Sequence, residues 1–282
     1  MSDVKNLEKI KEFLSKDRGL EKGIKKPQTL ILYASLLDRY IGLPILYRAN
    51  IKEIVRKLKS APLSISTKKR LYCALRKWYL LVGRYDIVVE LEKRENRPRY
   101  KSSRRAYYLK PWELEKILDS CENLKEQLVV MLVSLCGLRP SILVHIKVVN
   151  VKGGVIRIPK NITGNKAGEY FQKDVPKKVR PILDEYLVGR KENEYLFDFY
   201  GKGKDERTLA WRVNFFISKI LKRAGFSYPP YILRHTFGVI HYNAYKDILA
   251  TKDAMLQKNV SSTEIYAKVD KDWEKVAKKW LE

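Results

Sequence analysis

Three side chains suited to phosphoryl-transfer chemistry lie between Gly137 and Tyr266. The stretch from Tyr231 to Tyr266 contains Leu-Arg-His-Thr-Phe at 233–237 and closes on Ser-Thr-Glu-Ile-Tyr at 262–266, which places Tyr266 32 residues after Arg234. About a hundred residues before Arg234, Gly-Leu-Arg-Pro-Ser at 137–141 contributes Arg139. Breaking a phosphodiester without a metal requires fixed cations at the charge that develops on the phosphate. Guanidinium groups serve well, because arginine stays charged and its planar fork matches phosphate oxygens. A tyrosine hydroxyl can attack phosphorus and split one transfer into two reversible ones through a covalent intermediate. Arg139 and Arg234 fit the first role and Tyr266 the second. Singly, each has a plainer reading: a solvated surface cation, or one half-buried tyrosine among 18. Their order and spacing favour the chemical one.

The elements that must carry these groups follow from the hydrophobic pattern. Lys125–Cys136 reads as a buried helix presenting Arg139; its apolar run, Leu128–Leu138, is too short to span a bilayer. Pro111 opens a helix through Leu114, Ile117 and Leu118. Val155–Pro159 and Tyr170–Pro176 read as two strands of a hairpin or small sheet, separated by turn formers from Lys160 to Lys166. A helix over Thr208–Ala224 sets Arg212 and Lys219 against an apolar face, and is equally suited to a major groove or a plain surface. The preceding Gly/Lys loop, 201–207, lacks phosphate-loop spacing. In the first third, helical patterns cover Lys5–Lys16, Pro27–Leu43, Ile51–Lys59 and Ser66–Val82, the last carrying Lys68, Lys69, Arg70, Arg76 and Lys77. Arg94–Tyr107 has five arginines, a lysine, a proline and two serines without apolar periodicity, and reads as a basic linker containing Arg97, Arg99, Lys101, Arg104 and Arg105. The expected organisation is therefore a helical domain over 1–95, a linker over 96–107 and a second domain over 108–282. The whole is mainly α with a small β-sheet.

Charge narrows the partner. The chain has 58 Lys+Arg against 32 Asp+Glu, a net charge of +26 and a pI near 9.8, which points to a polyanion, most often nucleic acid. A lysine-rich thermophile surface would raise acidic residues alongside basic ones. Residues 1–98 hold 23 basic and 11 acidic residues, so both halves are basic and suited to a clamp around duplex DNA, with the linker crossing the backbone. The charged N-terminus shows no secretory segment, and the three cysteines (Cys73, Cys121, Cys136) form no metal or disulfide pattern, so a cytoplasmic protein without metal or cofactor is expected.

Together, Gly-Leu-Arg-Pro-Ser, Leu-Arg-His-Thr-Phe and Tyr266 resemble the catalytic domain of the tyrosine recombinase (phage-type integrase) family, with archaeal virus and plasmid integrases tolerating similar departures. The resemblance implies a two-domain DNA clamp: an N-terminal four-helix core-binding domain and a C-terminal α+β catalytic domain. It implies a site-specific recombinase of mobile-element type, making 3′-phosphotyrosyl intermediates on double-stranded DNA. The protein would be monomeric or weakly oligomeric alone and tetrameric on paired sites. It further implies a hairpin lysine as general acid for the departing 5′-oxygen. Counting from the first strand gives Lys160, here also a DNA-contact candidate; counting back from Val175-Pro176 gives Lys166, preferred because a Gly-Asn-Lys turn tip can reach DNA.

Tyr231 stands where the family usually has the histidine of H-x-x-R, Gln257 where it has a second histidine or tryptophan, and Ile142 where glutamate is common. Tyr231 and Gln257 can donate hydrogen bonds to a phosphate but are poor bases for a phenol of pKa near 10. The alternative is thus a weakened or inactive DNA-binding accessory protein on the same fold. His235 is expected to be a structural hydrogen-bonder, and His145 and His241 packing or surface residues. Past Tyr266, Trp273, Val276, Ala277 and Trp280 form one apolar helix face. It must dock on its own domain or, as the resemblance implies, on a neighbouring protomer.

Overall fold

The computed structural model describes residues 2–18, 21–98, 107–159, 170–199, 206–257, 259–267 and 271–282. The chain divides into two compact units, Met1–Ser103 and Arg104–Glu282. Arg99, Lys101, Arg104, Arg105, Lys160 and Lys166 lie outside the described residues.

The first unit contains six described helices: α1 (Ser2–Ser15), α2 (Pro27–Tyr40), α3 (Leu43–Arg48), α4 (Ile51–Ser60), α5 (Ile65–Val82) and α6 (Tyr85–Glu92). The four-helix expectation falls short by α3 and α6. The pattern over Pro27–Leu43 breaks at Gly42, whose φ of 88° turns the chain before α3 starts. Asn50 caps α4 by accepting from Glu53 N–H (3.2 Å), and Ser64 caps α5 by accepting from Thr67 N–H (3.3 Å). α5 ends at Gly83 in the left-handed region (φ 78°). Its Leu71, Leu75, Trp78 and Tyr79 are fully buried with Ile10, Leu14, Leu37 and Ile54, and this apolar burial is what holds the unit together.

The second unit is built around α8 (Leu124–Ser134), in which every residue from Leu128 to Ser134 is buried. A helix apolar on all sides belongs in a core. Before it lies α7 (Pro111–Asp119), and after it α9 (Pro140–Leu143). A three-stranded antiparallel sheet follows in the order β1 (Val151–Lys152), β2 (Val155–Pro159), β3 (Tyr170–Asp174), so the expected pair gains a short edge strand. Next come α10 (Arg180–Leu187), α11 (Glu206–Arg223), α12 (Ile232–Tyr245), α13 (Ile248–Ala254) and α14 (Lys271–Leu281). Arg223 of α11 grips the buried Glu126 of α8 through two bonds of 2.6 and 3.1 Å, a bidentate pairing that fixes the two helices.

α14 packs against α12 of its own unit. Trp273, Ala277 and Trp280 are buried, and the Trp273 indole N–H donates to Leu109 O at 2.6 Å. Leu109 N–H in turn donates to Thr236 Oγ1 (2.8 Å), which ties the start of the unit to α12 on one side and α14 on the other. Among the described residues no helix is long and apolar enough to cross a membrane.

Candidate active site

The site is organised by the turn that ends α13. Leu256 lies in the left-handed region (φ 49°), its N–H donates to Asp253 O (2.9 Å), and Gln257 N–H donates to Lys252 O (3.0 Å). This is a Schellman closure, which satisfies two carbonyls of the last turn and leaves the next three free. All three are taken by cations. Ala254 O accepts from Lys173 Nζ (2.8 Å), Met255 O from Arg234 Nη2, and Leu256 O from Arg139 Nη2 (3.2 Å). The negative end of a helix dipole suits such a cluster.

Each cation arrives for a local reason. Gly137, at φ 66°, reverses the chain after α8 so that Arg139 caps the start of α9, where Pro140 opens the helix. Arg234, in the first turn of α12, is buried, and its Nη1 donates to Gly137 O. Its remaining Nε is buried without a partner among the described residues. Burial draws its pKa below the usual arginine range, and the nearby Arg139 charge adds to the effect. Arg234 remains cationic at neutral pH regardless. Lys173 follows from sheet register: it pairs with Ile156, while Phe171 pairs with Ile158, so Lys173 sits on the core face of β3. Its ammonium lies 4.5 Å from the Phe237 ring centroid, and burial pushes its pKa down to about 8. The alternation Phe171-x-Lys173-x-Val175 is the sequence signal for this inward lysine, which the motif-based reading passes over.

Tyr266 sits in a short 3-10 turn, Glu264–Tyr266, and is buried. Its hydroxyl lies 2.7 Å from His235 Nδ1. Gln257 Oε1 accepts from Ser262 Oγ (2.9 Å) and Thr263 Oγ1 (2.7 Å), so the amide N–H₂ is the donor that Gln257 keeps for another partner. Burial raises the Tyr266 pKa above the ordinary phenol range; the Arg234 charge and the polar Gln257 side chain pull it the other way. Tyr231, immediately before α12, is 40% exposed and meets His235 edge-on at 5.0 Å. Thus Arg139, Arg234, Gln257, Tyr231 and Tyr266 converge, and His235 and Lys173 join them. Ile142, in the usual glutamate position, is buried. His241 is a packing residue as expected, within 3.0 Å of Thr251 Oγ1 and held down to about pKa 4 by burial.

The basic residues proposed for DNA contact are distributed unevenly. On α5, Arg76 is paired with Glu92 (2.5 Å), Lys77 with Glu21 (3.2 Å), and Lys68 donates to Lys59 O (2.5 Å). Arg97 lies 3.9 Å from Glu92, and Arg70 is exposed. On α11, Arg212 donates to Phe199 O (3.2 Å), whereas Lys219 is exposed above Phe215, which stacks on the exposed Trp211. Among the described residues, no cluster of three or more His, Cys, Asp or Glu could hold a metal ion.

A buried and a partly buried arginine held on one turn, beside a buried tyrosine, define a tyrosine recombinase catalytic unit. The sequence pattern of the phage integrase family matches residues 107–272, more than half of the chain, and the chain belongs to that family. It is 26% identical to the tyrosine recombinase XerA of Pyrococcus horikoshii, over 95% of this chain and 91% of that protein. It is 24% identical to XerA of Saccharolobus solfataricus over 55% of this chain and 49% of the relative. In fold it is similar to a lambda integrase tetramer bound to a Holliday junction (TM-score 0.64, 17% identity, covering 95% of this chain and 77% of that one). It is likewise similar to the XerH recombinase in its post-cleavage complex with difH (TM-score 0.59, 19% identity, 90% and 78% covered).

Proposed function

We propose that this protein is a site-specific DNA recombinase, of the integrase type carried by archaeal mobile elements, in which Tyr266 attacks the scissile phosphate. One observation carries the assignment of residues: Arg139 and Arg234, from separate helices, are held on adjacent carbonyls of one turn, and Tyr266 lies within electrostatic reach of Arg234. Two fixed guanidinium groups stabilise the charge developing on the phosphate, and the hydroxyl forms a 3′-phosphotyrosyl bond that preserves the energy of the broken phosphodiester for rejoining. Tyr231 and Gln257 supply hydrogen-bond donors where the family commonly has imidazoles. Lys166, or Lys160, protonates the departing 5′-oxygen. The reaction therefore requires neither ATP nor a metal.

The net charge of +26 supports double-stranded DNA as the partner. Lys68, Lys69, Arg70, Arg76 and Lys77 on α5, Arg97 with the linker residues Arg99, Lys101, Arg104 and Arg105, Lys160, and Arg212 and Lys219 on α11 are the proposed DNA contacts. Where such a residue is ion-paired, DNA must compete for it. The helical domain over 1–95 and the catalytic domain over 108–282 would close around the duplex, with four protomers assembling on paired sites in a cytoplasmic, DNA-associated complex. That the described lambda integrase neighbour is a tetramer on a junction is consistent with this. The test is a nicked suicide duplex resolved on a denaturing gel. The parent should give a covalent protein–DNA band and Tyr266→Phe none, with DNA affinity unchanged. Persistent covalent product in Tyr266→Phe would place the nucleophile elsewhere, with Tyr242 and Tyr245 the next to test.

A further inference from the structure

The two imidazole positions usual in the family are occupied here by Tyr231 and Gln257, yet the site contains an imidazole. His235 is held by the first turn of α12, its backbone N–H donating to Tyr231 O at 3.1 Å. Its ring is bracketed by Tyr231 (5.0 Å between centroids, edge-on) and Tyr266 (5.7 Å). With Nδ1 2.7 Å from the Tyr266 oxygen, the lone pair of a neutral His235 is placed to accept the phenol proton. A nucleophile and a base within hydrogen-bond reach, with the base fixed by its surroundings, is the arrangement that activates a hydroxyl.

Building on the assignment of Tyr266 as nucleophile, we infer that His235 is the general base of the cleavage step, taking over the work of the absent imidazoles. As the Oη–P bond forms, the Tyr266 proton passes to His235 Nδ1, giving an imidazolium. The P–O5′ bond breaks, and the 5′-oxygen leaves with that electron pair and takes a proton from the hairpin lysine or solvent. On rejoining, the 5′-hydroxyl attacks phosphorus and gives its proton back to the hairpin lysine or solvent, the Oη–P bond breaks, and the imidazolium returns its proton to the departing phenolate. The neutral ring needed for this is favoured by burial and by the Arg234 charge, which both hold His235 below the ordinary histidine pKa. The groups facing it are Arg234 on its own helix, Tyr231 at the start of that helix and Tyr266 on the 3-10 turn.

Asparagine can accept the Tyr266 hydrogen bond at the Nδ1 position without being a base, so His235→Asn separates basicity from positioning. In single-turnover cleavage of the suicide duplex, His235→Asn should be slower by about 10²–10⁴-fold, with half-site binding within about threefold of the parent. Its rate should climb nearly tenfold per pH unit between about pH 7 and 9, as hydroxide takes over the proton. The unaltered protein gives an independent reading should asparagine disturb α12. Its rate should be level above about pH 6.5 and fall with acidification once His235 protonates. A parental cleavage rate in His235→Asn, with Tyr266→Phe inert, overturns the base assignment alone. So does a steep rise from about pH 7 to 9 in the unaltered protein. Covalent product from Tyr266→Phe overturns it together with the nucleophile assignment.

Discussion

The ring of Tyr266 rests on the backbone of Gly238, so close that a β-carbon there would fall 2.8 Å from the ring carbons. Gly238 is a helical residue of α12 needing no special φ; what it provides is space. Gly238→Ala should therefore push Tyr266 off the helix. Overpacking of this kind costs roughly 1–3 kcal/mol, and the displaced hydroxyl leaves the arginine pair, so cleavage should fall at least tenfold while half-site binding holds. Single-turnover rates beside a gel-shift titration check this; parental cleavage would mean that Tyr266 reacts from another position.

Arg139 and Arg234 should differ in a way that their shared chemistry conceals. Losing either should cost cleavage a few orders of magnitude, roughly 3–4 kcal/mol, as for an oxyanion donor. Arg139 is only partly buried, with one bond to Leu256 O, so Arg139→Ala should unfold near the parental temperature. Arg234→Ala also strands the buried carbonyls of Gly137 and Met255, each worth roughly 1–3 kcal/mol, and should melt measurably lower. Thermal unfolding in parallel with suicide-substrate cleavage distinguishes the two. Cleavage within about threefold of the parent in both variants would refute the assignment.

Lys173 should trade stability for site geometry. Its folded pKa of about 8 lies below the unfolded value of 10.5, so the unfolded state binds the extra proton between those values and stability rises with pH across that window. Below it, the burial cost is carried in full. Lys173→Met should be at least as stable as the parent at pH 7, and the difference should shrink as pH rises from about 8 towards 10. Cleavage should fall, because Ala254 O loses the ammonium that helps to fix the arginine-bearing turn. Denaturant unfolding at several pH values reads the first effect; a difference that does not change with pH would show Lys173 to be uncharged or solvated.

The C-terminal helix docks on its own unit, so its removal should be felt by a single chain. Trp273→Ala should cost about 3–5 kcal/mol, the range for truncating a buried large aromatic, and deletion of residues 271–282 should lower the melting temperature of protein free of DNA. An unchanged melting temperature would show that α14 is not held in cis in solution and would favour exchange between protomers.

DNA affinity should fall steeply with salt, the logarithm of the binding constant dropping by about 0.9 per phosphate neutralised for each tenfold increase. Splitting the chain near Lys101 should give two fragments that each bind weakly and each respond to salt. A single fragment with all the affinity would contradict the clamp.

The sequence by itself determined the reaction class. Arg139, Arg234 and Tyr266 are set by residue type and spacing, and the apolar run over Leu128–Leu138 marks the buried helix that leads into Arg139. Gly83 and Gly137 stand just past the ends of the helical patterns over Ser66–Val82 and Lys125–Cys136, whereas the reversal at Gly42 lies inside the pattern over Pro27–Leu43 and only the structure shows it. Only the tertiary structure decided what surrounds the nucleophile. The three carbonyls of Ala254, Met255 and Leu256 have no sequence signature, since any residue provides a carbonyl and only the left-handed Leu256 frees these three together. Lys173 reads as a surface cation until strand register turns it inward against Ile156. His235 reads as a structural member of its motif until the 3-10 turn of Tyr266, brought back over α12 by α13 and α14, sets a hydroxyl against its Nδ1. Spacing along a chain fixes which groups are available; which atoms meet depends on contacts between segments far apart in sequence, and burial then sets their charge.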